Sequence, residues 1–526
     1  MNRFPDLIRK YAFLHPDKKA THFEGRDFSY AQFRDRIQGM GQVLVDHGVQ
    51  PGDRVAYLGQ NSHWLVEMYY VPCVVGAILV PLNYRLSEDE MVDVVADCTP
   101  EVLIVDRHFV PRAAALMERC PSLRHLIFAD WHADAPGLPD GTPGYDALIA
   151  AAPTVADDAF DDRASHSNDT MIIFYTSGTT GQPKGVMLSH ANLLANATGS
   201  GHLYGYVDTD VLLLSGPLFH LGTGSRVYTA IAYGTTMVIQ PRFEVEETMR
   251  MIQEQRITTM TLVPTMLRMI MDHPRFGDFD FSSIRCLTYG ASPMPVALME
   301  RAIAAIPGIV FCQGYGMTET SPVLSVLTPA DHVPGNPMIG KLGSVGRPVI
   351  YADLRIVGEN DQPVPVGQPG EVIVRGPQVM NGYWNRPEET AQALRGGFYH
   401  TGDAGFLDED GYLTLVGRTK EMIISGGENV YPIETENALS KHPAVAQAAV
   451  FGVSHDKWGE MVFAAVALHD GKTATEEELI AFCREKIADY KAPRGLRIWT
   501  GALPLSATNK IDKAAIKSTI LKEGAS

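Results

Sequence analysis

The segment Tyr175-Thr-Ser-Gly-Thr-Thr-Gly-Gln-Pro-Lys-Gly185 brings three glycines, five hydroxyl or phenol groups and one lysine into eleven residues. It follows an apolar run at Met171–Tyr175, which predicts a strand, and precedes a helix-like run at Ser189–Asn196. Such a turn can direct backbone N–H groups and hydroxyls toward phosphate oxygens, and Lys184 adds a positive charge. A solvated Ser/Thr/Gly loop is the alternative, which the Pro-Lys-Gly ending after a strand disfavours. The segment therefore predicts phosphate binding.

On both sides of this segment, short strand-like runs alternate with amphipathic stretches of helix length. This alternation is typical of α/β folds with largely parallel sheets. The strand-like runs are Arg54–Leu58, Glu101–Val105, Met171–Tyr175, Met237–Gln240, Thr259–Val263 and Cys286–Tyr289, and helix-length segments include Glu244–Arg256 and Pro295–Ile306. The predicted fold class is therefore α/β, with a large N-terminal domain of α/β layers.

The character of the sequence changes after about Gly340. Residues 345–416 hold short strands between Gly, Pro and Asp turns, which predicts a β-rich subdomain within an N-terminal domain of residues 1–416. From Gly417 the chain again mixes helix and strand, over a length of about 110 residues that can fold separately. We therefore predict a small, mobile α+β C-terminal domain at residues 417–526, with a boundary near 416–420.

Length and charge restrict the possible functions. The chain has 526 residues, more than one ordinary core holds, so at least two domains are expected. The formal net charge of −17 argues against a surface for nucleic acid or anionic membrane, because such surfaces need basic patches. It leaves anionic small molecules open, because a local cluster of amides and cations still holds a phosphate.

The cysteines and apolar runs bear on location. The six cysteines are scattered without a CxxC pair, which fits a reducing compartment and offers no zinc site or disulfide framework. The N-terminal residues contain charges and prolines, unlike a signal peptide. Apolar runs such as Val71–Leu82 cover about a dozen residues, whereas a membrane span needs roughly 20. We expect a cytoplasmic protein without a transmembrane segment, and consider a homodimer.

Two glycine patterns resemble nucleotide-binding motifs but each lacks a residue that its motif requires. Residues 335–342 match the Walker pattern up to its last position, where Leu342 replaces the Ser or Thr that must bind magnesium. The pairs Gly222-Thr-Gly224 and Gly314-Tyr-Gly316 begin a dinucleotide motif but lack its third glycine. A P-loop NTPase and a dehydrogenase are therefore disfavoured.

Four further motifs follow the phosphate-binding segment in order. They are Gly314-Tyr-Gly-Met-Thr-Glu-Thr320, Tyr399-His-Thr-Gly-Asp403, Gly417-Arg-Thr-Lys-Glu-Met-Ile-Ile-Ser-Gly-Gly-Glu-Asn-Val-Tyr-Pro432 and Leu505-Ser-Ala-Thr-Asn-Lys510. With these five motifs at family-like spacing, essentially the whole chain resembles the adenylate-forming superfamily, in its branch of acyl-CoA synthetases and hydroxycinnamate–CoA ligases. The resemblance implies a large N-terminal domain, a small mobile C-terminal domain, and two half-reactions at one site.

In the first half-reaction that the resemblance implies, a carboxylate attacks the α-phosphorus of ATP and pyrophosphate leaves. Cations and positioning should dominate its catalysis, because the reacting groups are anions. Glu319 is implied to bind Mg²⁺, with Thr176 as a second ligand, and Thr318 is implied to face the α-phosphate. The β- and γ-phosphates are implied to bind Lys184 together with Thr176, Ser177, Gly178, Thr179, Thr180 and Gly181.

The nucleoside is implied to lie among residues of the later motifs. Asp403 would accept hydrogen bonds from both ribose hydroxyls, because a carboxylate has two acceptor oxygens. Arg418 would reach the ribose or a phosphate. The adenine would lie between Tyr315 and the strand end at Tyr289, where small residues allow close backbone approach. The adenine-side residues are Gly290, Ala291, Ser292, Gly314, Tyr315 and Gly316.

The C-terminal domain is implied to serve both half-reactions. Lys510 would contact the acyl carboxylate and the α-phosphate during adenylation, and its cation would offset developing charge. Lys420 occupies the family's hinge position, where backbone rotation swings the small domain. The segment containing Ser425, Gly426, Gly427 and Glu428 would then line the coenzyme A channel, since glycines allow close passage. A thiolate then attacks the acyl-adenylate and AMP leaves.

The acyl pocket is predicted to include residues of two segments, namely Phe219, His220, Gly222, Thr223, Met317 and Val323. His220 lies in a Pro-Leu-Phe-His pattern, where the ring gates the acid site in similar enzymes, although a histidine packed in a wall is the alternative. No acidic residue lies here to receive a substrate ammonium, so we expect an acid that is uncharged beyond its carboxylate. The glycines leave room for an extended or planar substituent, so fatty acids and hydroxycinnamates both remain open.

The function predicted is an ATP-dependent acid–CoA ligase with ATP, Mg²⁺ and coenzyme A, acting on a small carboxylic acid. A stand-alone adenylation enzyme that loads a carrier protein shares every motif up to the thiol step. A luciferase-like oxygenase demands a specialised pocket that the sequence does not reveal. A nucleotide-binding regulator without activity would be expected to lose Lys510 or Glu319, and both are present.

Overall fold

The computed structural model describes residues 3–132, 135–163, 166–177, 183–290, 296–306, 308–333, 340–426, 428–455, 457–505 and 511–523. Eight predicted site residues lie outside the described residues, namely Gly178, Thr179, Thr180, Gly181, Ala291, Ser292, Gly427 and Lys510. Their predicted roles stay predictions.

The helices and strands of the described residues alternate for most of the chain. The helices are α1 (Phe4–Leu14), α2 (Tyr30–Asp46), α3 (His63–Met68), α4 (Val71–Val74), α5 (Glu88–Cys98), α6 (Val110–Arg119), α7 (Tyr145–Ala151), α8 (His190–Leu203), α9 (Leu221–Tyr233), α10 (Val245–Glu254), α11 (Pro264–Met271), α12 (Val296–Ala305), α13 (Pro387–Ala393), α14 (Pro432–Leu439), α15 (Glu476–Lys486) and α16 (Lys513–Glu523).

The strands are β1 (Lys19–Phe23), β2 (Arg26–Ser29), β3 (Arg54–Leu58), β4 (Ile78–Pro81), β5 (Val102–Val105), β6 (His125–Phe128), β7 (Thr170–Ser177), β8 (Pro183–Ser189), β9 (Val211–Leu214), β10 (Thr236–Ile239), β11 (Thr259–Leu262), β12 (Cys286–Gly290), β13 (Val310–Gly316), β14 (Val323–Leu327), β15 (Arg347–Pro348), β16 (Asp353–Val357), β17 (Gly370–Arg375), β18 (Gly382–Tyr383), β19 (Tyr399–Leu407), β20 (Leu413–Arg418), β21 (Ile423–Ser425), β22 (Glu428–Val430), β23 (Val445–His455), β24 (Gly459–Leu468) and β25 (Gly495–Trp499). The prediction of an α/β fold is confirmed.

The chain divides into two compact units. One comprises Met1–Asp353 and Val374–Tyr399, and the other comprises Leu354–Ile373 and His400–Ser526. About half of the predicted β-rich segment, residues 354–373 and 400–416, thus groups with the C-terminal residues in the second unit. The predicted functional boundary near Gly417 stays a prediction.

The first unit contains two large sheets. The nine-stranded sheet has the order β15-β14-β13-β12-β11-β9-β10-β1-β2, and strands β1 and β9 to β13 run parallel to their neighbours in that group. The seven-stranded sheet has the order β18-β8-β7-β4-β3-β5-β6, with a parallel centre and the antiparallel strands β8 and β18 at one edge. Parallel sheets of this kind bind ligands beyond the carboxyl ends of their strands.

Apolar side chains cover both faces of the nine-stranded sheet. Helices α1 to α4, α8 and α9 contribute to a core that also includes residues of both sheets, such as Leu214 and Ile172. Helices α10 to α12 form a second core on the outer face, around residues such as Met260 and Leu287. A strand that is buried on both faces is a nearly continuous apolar run in sequence. This layering explains why β9 and β12 are largely apolar.

The second unit contains two smaller sheets. The four-stranded sheet has the order β16-β17-β19-β20, and the other has the order β22-β21-β24-β23 with β25 beside β24. Helices α14 and α15 cover an apolar cluster on the latter sheet, and α16 covers another. Among the described residues, no helix is both long and apolar enough to cross a lipid bilayer.

Candidate active site

The described residues of the predicted phosphate-binding segment lie on two adjacent strands. Strands β7 and β8 pair antiparallel, with Thr176 opposite Lys184 and Ser177 opposite Pro183. The predicted helix-like run Ser189–Asn196 is the start of α8, with Ser189 as its N-cap, and strand β8, which the sequence did not predict, precedes it. Pro183 and Gly185 obscure this strand in the sequence, because both residues are rare in strand interiors. Lys184 is therefore fixed by a sheet rather than carried by a free loop.

The ammonium of Lys184 has two neighbours that the sequence did not predict. Its Nζ pairs with a carboxylate oxygen of Glu389 on α13, and lies 5.2 Å from the ring centroid of Tyr383 on β18. The Lys184 side chain is 19% exposed, so solvent screens its charges only partly. Tyr383 reaches this position because β18 pairs with β8, with Tyr383 opposite Val186.

Tyr383 also contacts the predicted metal ligand. Its hydroxyl donates to Oε1 of Glu319 at 3.0 Å, and the backbone N–H of Met380 donates to the Glu319 carbonyl at 2.9 Å. Burial raises the pKa of the Tyr383 phenol, and the Glu319 charge adds to that rise, so the phenol stays protonated and acts as the donor. One tyrosine thus lies between the predicted phosphate cation and the predicted metal carboxylate.

A network of contacts to Asp97 on α5 holds the Tyr383 segment in place. The Asp97 side chain accepts from the Tyr175 hydroxyl at 2.6 Å and lies 3.2 Å from a guanidinium nitrogen of Arg386. The Asp97 carbonyl accepts from Nε1 of Trp384 at 3.1 Å. Tyr175 is the first residue of the phosphate-binding segment, so these bonds connect that segment to the residues after Tyr383.

We expect Glu389→Gln to lower the KM for ATP by ~2–5-fold with little change in kcat, because Glu389 would compete with the phosphates predicted to bind Lys184. Initial rates of pyrophosphate release at varied ATP check this. Glu388→Gln is the matched control, since Glu388 is exposed in the first turn of the same helix. A higher KM for ATP in Glu389→Gln would show that Glu389 assists nucleotide binding instead.

The glycines of the Gly-Tyr-Gly-Met motif lie where backbones approach closely. Gly290 on β12 is opposite Gly314 on β13, and a Cβ at Gly290 would lie 2.5 Å from the Gly314 carbonyl oxygen. A Cβ at Gly316 would lie 1.8 Å from the Pro322 carbonyl oxygen. Any side chain at Gly290 or Gly316 would displace backbone atoms. Both glycines end strands of the parallel group, and ligands bind beyond such strand ends, which fits their predicted place beside the nucleotide.

The residues after Gly316 turn back onto β14. Thr318 and Glu319 belong to a 3₁₀ turn of residues Thr318–Thr320, in which Thr318 is buried. Tyr315 is half-buried on β13, and Met317 accepts at its sulfur from the Tyr399 hydroxyl at 3.3 Å. Val323 begins β14, where its carbonyl accepts from Nδ2 of Asn196 at 2.8 Å. The structure thus brings these five predicted residues onto the end of β13, the turn that follows it and the start of β14.

The other half of the predicted acyl pocket lies at the start of α9. His220 is the N-cap residue of this helix, and its Nδ1 accepts from the Gly222 backbone N–H at 3.0 Å. Phe219 is buried, and its ring meets that of Tyr84 edge-on at 4.8 Å between centroids. Thr223 is half-buried against Gly216. His220 is exposed, so it can both cap the helix and face a ligand.

In the second unit, the two predicted ribose ligands pair with each other. Asp403 on β19 lies opposite Arg418 on β20, and Nε of Arg418 is 2.8 Å from Oδ1 of Asp403. A second Arg418 nitrogen donates to the Thr401 carbonyl at 3.1 Å. The sequence predicted both residues from separate motifs, and strand pairing brings them together.

The predicted hinge and coenzyme A residues lie on neighbouring turns of the second unit. Lys420 is exposed in a 3₁₀ turn of residues Thr419–Glu421. Ser425 is buried at the end of β21 opposite Glu428, which is exposed. Gly426 has a φ of +63° and donates to the Trp458 carbonyl at 2.9 Å, and a Cβ at this position would lie 2.8 Å from the Trp458 ring.

Comparison with known proteins assigns the chain to a family. The AMP-binding enzyme family matches residues 8–384, and the AMP-binding enzyme C-terminal domain matches residues 434–510. The chain belongs to the AMP-binding enzyme family. This AMP-binding enzyme is 37% identical over 519 residues to an indoleacetate–CoA ligase of Aromatoleum aromaticum, with 98% of each chain covered.

Two further relatives agree with this assignment. The AMP-binding enzyme is 37% identical over 512 residues to a feruloyl-CoA synthase of an Amycolatopsis species, with 96% of each chain covered. A solved o-succinylbenzoate–CoA synthetase of Bacillus subtilis, in complex with its acyl-adenylate, is 30% identical, with a TM-score of 0.82 and 98% of each chain covered. The protein is therefore an ATP-dependent acid–CoA ligase that uses ATP, Mg²⁺ and coenzyme A. The predictions of family, enzyme class and cofactors are confirmed.

Proposed function

We propose that this AMP-binding enzyme activates an acid that carries an aromatic ring and transfers the acyl group to coenzyme A. The observation that carries the proposal is the cluster of Lys184, Tyr383 and Glu319, beside the close backbone approach of Gly290 and Gly314. The cluster offers a cation and a carboxylate for a metal–pyrophosphate complex, and the glycines allow the backbones of β12 and β13 to approach closely. The relatives named for indoleacetate and ferulate support an aromatic acid.

We assign adenylation to the first-unit cluster. Lys184 holds the leaving pyrophosphate, and Thr318 faces the α-phosphate. Glu319 fits Mg²⁺, because a hard carboxylate oxygen oriented by the Tyr383 hydroxyl suits that ion, and Thr176 supplies a further oxygen. When bound, Mg²⁺ neutralises charge on the phosphates. Tyr383 orients the carboxylate and keeps it at a fixed distance from the lysine.

The second unit contributes the remaining roles in this proposal. Asp403 accepts from the ribose hydroxyls, and Arg418 fixes the orientation of that carboxylate through its 2.8 Å contact. Lys510 offsets charge on the acid and the α-phosphate, and Ser425 to Glu428 line the thiol's path after a rotation at Lys420. Residues 417–526 act as the mobile domain.

The test is pyrophosphate release with fatty acids of short, medium and long chain, benzoates, arylacetates and hydroxycinnamates, each with and without coenzyme A. We expect aromatic acids to give kcat/KM at least ~10-fold above every fatty acid, since a matched ring in an apolar pocket is favoured by that order. Chromatography of the products checks for acyl-CoA. Acyl transfer to a carrier protein but not to coenzyme A would establish the carrier-loading alternative, and a fatty-acid preference would overturn the aromatic acid.

We also propose a cytoplasmic location and a homodimer. The six cysteines are all free and buried, which supports a reducing compartment. The adjacent apolar residues Ile350 and Tyr351 are 82% and 45% exposed, which supports a self-association surface. Fractionation of the host cell and light scattering of the purified protein test these two statements, and a monomer at micromolar concentration would remove the homodimer.

A further inference from the structure

Arg226 is a buried arginine that the sequence did not single out. It lies on α9, the helix that begins beside His220, and is 5% exposed. Its Nε donates to Oγ1 of Thr261 on β11 at 3.0 Å, and its Cζ lies 4.7 Å from the ring centroid of Tyr204. A hydroxyl and an aromatic face therefore hold the guanidinium in place.

No carboxylate of the described residues pairs with Arg226. The contrast is Arg36, another largely buried arginine, whose guanidinium lies 2.5 Å from Glu67 and 2.7 Å from Asp146. The bond to Thr261 uses Nε, and the Tyr204 hydroxyl is a second uncharged group that interacts with the guanidinium. A buried cation whose neighbours are uncharged is costly, and an anionic or polar ligand would offset that cost.

Arg226 lies close to the predicted substrate site. Thr261 shares a 2.6 Å hydrogen bond with Thr288 on β12, two residues before Gly290. The Tyr204 hydroxyl occupies the space beside Gly314, where a Cβ would lie 2.2 Å from it. The Tyr204 side chain thus contacts both Arg226 and Gly314 of the Gly-Tyr-Gly-Met motif, near the carboxyl ends of β11 to β13. Ligands of parallel sheets bind at that edge.

We propose that Arg226 recognises an oxygen acceptor at the far end of the acid, either a second carboxylate or a phenol oxygen. The inference rests on the proposed function and names a structural requirement of its substrate. A guanidinium presents a planar fork of N–H donors, so it can donate two parallel hydrogen bonds to a carboxylate or two converging ones to a single phenol oxygen. Arg226 is therefore a specificity-determining residue, and the reaction chemistry takes place at the opposite end of the acid.

The test compares three acids of one shape: cinnamate, 4-hydroxycinnamate and 4-carboxycinnamate. Pyrophosphate release gives kcat/KM for the wild type, Arg226→Met, Arg226→Lys and Arg268→Met. Methionine retains the packing against Tyr204 without the donors, and lysine retains a point charge without the fork. Arg268→Met is the matched control, because Arg268 is exposed on α11, on the opposite face of the same sheet.

We expect the wild type to prefer one acceptor-bearing acid over cinnamate by ~100-fold, because a site built to hydrogen-bond a group rejects the analogue lacking it. Arg226→Met should reduce this preference to within ~5-fold, mainly through loss on the acceptor-bearing acid, with cinnamate nearly unchanged. Arg226→Lys should retain an intermediate preference. Whether the wild type prefers 4-carboxycinnamate or 4-hydroxycinnamate shows whether Arg226 recognises a second carboxylate or a phenol oxygen.

Several results would overturn the inference. If Arg226→Met lowers kcat/KM equally for all three acids, Arg226 is only structural. If the wild type prefers cinnamate, no acceptor is recognised, and this result decides the matter even where Arg226→Met does not fold. If the wild type activates neither these acids nor any other aromatic acid, the proposed function fails, whereas aromatic activation without an acceptor preference defeats the Arg226 inference alone.

Discussion

Lys510→Ala is expected to lower acid-dependent pyrophosphate release by ~10³-fold, because a preorganised cation at developing charge contributes that much. Thioester formation from supplied acyl-adenylate should stay within ~3-fold of the wild type, because phosphate chemistry is complete by then. Pyrophosphate release is measured with acid and ATP, and thioester formation is measured separately with acyl-adenylate and coenzyme A.

The matched control for this substitution is Lys522→Ala. Lys522 lies exposed on α16, also near the C-terminus, and its loss should change neither half-reaction. An equal fall of both half-reactions in Lys510→Ala would contradict the assignment of Lys510 to adenylation alone. Lys510→Arg should recover part of the adenylation rate, because the charge returns with different geometry.

Lys420→Pro is expected to slow thioester formation by ~10–100-fold while adenylation stays within ~3-fold of the wild type, because proline fixes φ near −65° and blocks backbone rotation. The described conformation should tolerate the proline, because Lys420 is the second residue of a 3₁₀ turn. Pro72 and Pro111 occupy the same position in α4 and α6. Single-turnover rates of the two half-reactions check this prediction.

Lys420→Ala separates the backbone from the side chain in this experiment. Alanine removes the exposed ammonium but leaves φ free, so both half-reactions should stay close to those of the wild type. If Lys420→Ala slows thioester formation as much as Lys420→Pro does, the side chain itself acts on coenzyme A, and the hinge assignment fails.

The alternation of elements was predictable because it depends on local pattern. Strand β3 has the predicted bounds Arg54–Leu58, and β12 extends the predicted Cys286–Tyr289 by one residue. Apolar runs bounded by polar turns specify such strands without reference to the rest of the chain. Strand β8 was missed, because Pro183 and Gly185 interrupt its local pattern and its pairing with β7 and β18 stabilises it.

The candidate site was predictable only in part. Motifs located Lys184 and Glu319, since a phosphate loop and an acidic turn have compositional signatures. Tyr383 and Glu389 have none, because their role arises from the pairing of β18 with β8, about 200 residues apart in sequence. Arg226 was missed for another reason: the sequence shows an arginine in an apolar helix, but whether a carboxylate meets it depends on tertiary packing.

The position of Tyr383 has a consequence for how Mg²⁺ and pyrophosphate affect each other's binding. Its ring faces Lys184 while its hydroxyl donates to Glu319, so a shift of this ring would change its contacts with both residues. If Tyr383 transmits such a shift, Mg²⁺ and pyrophosphate are thermodynamically coupled, and each changes the affinity of the other by the same factor. Metal affinity measured with and without pyrophosphate would then give one coupling free energy, and Tyr383→Phe would reduce it without removing a direct ligand of either.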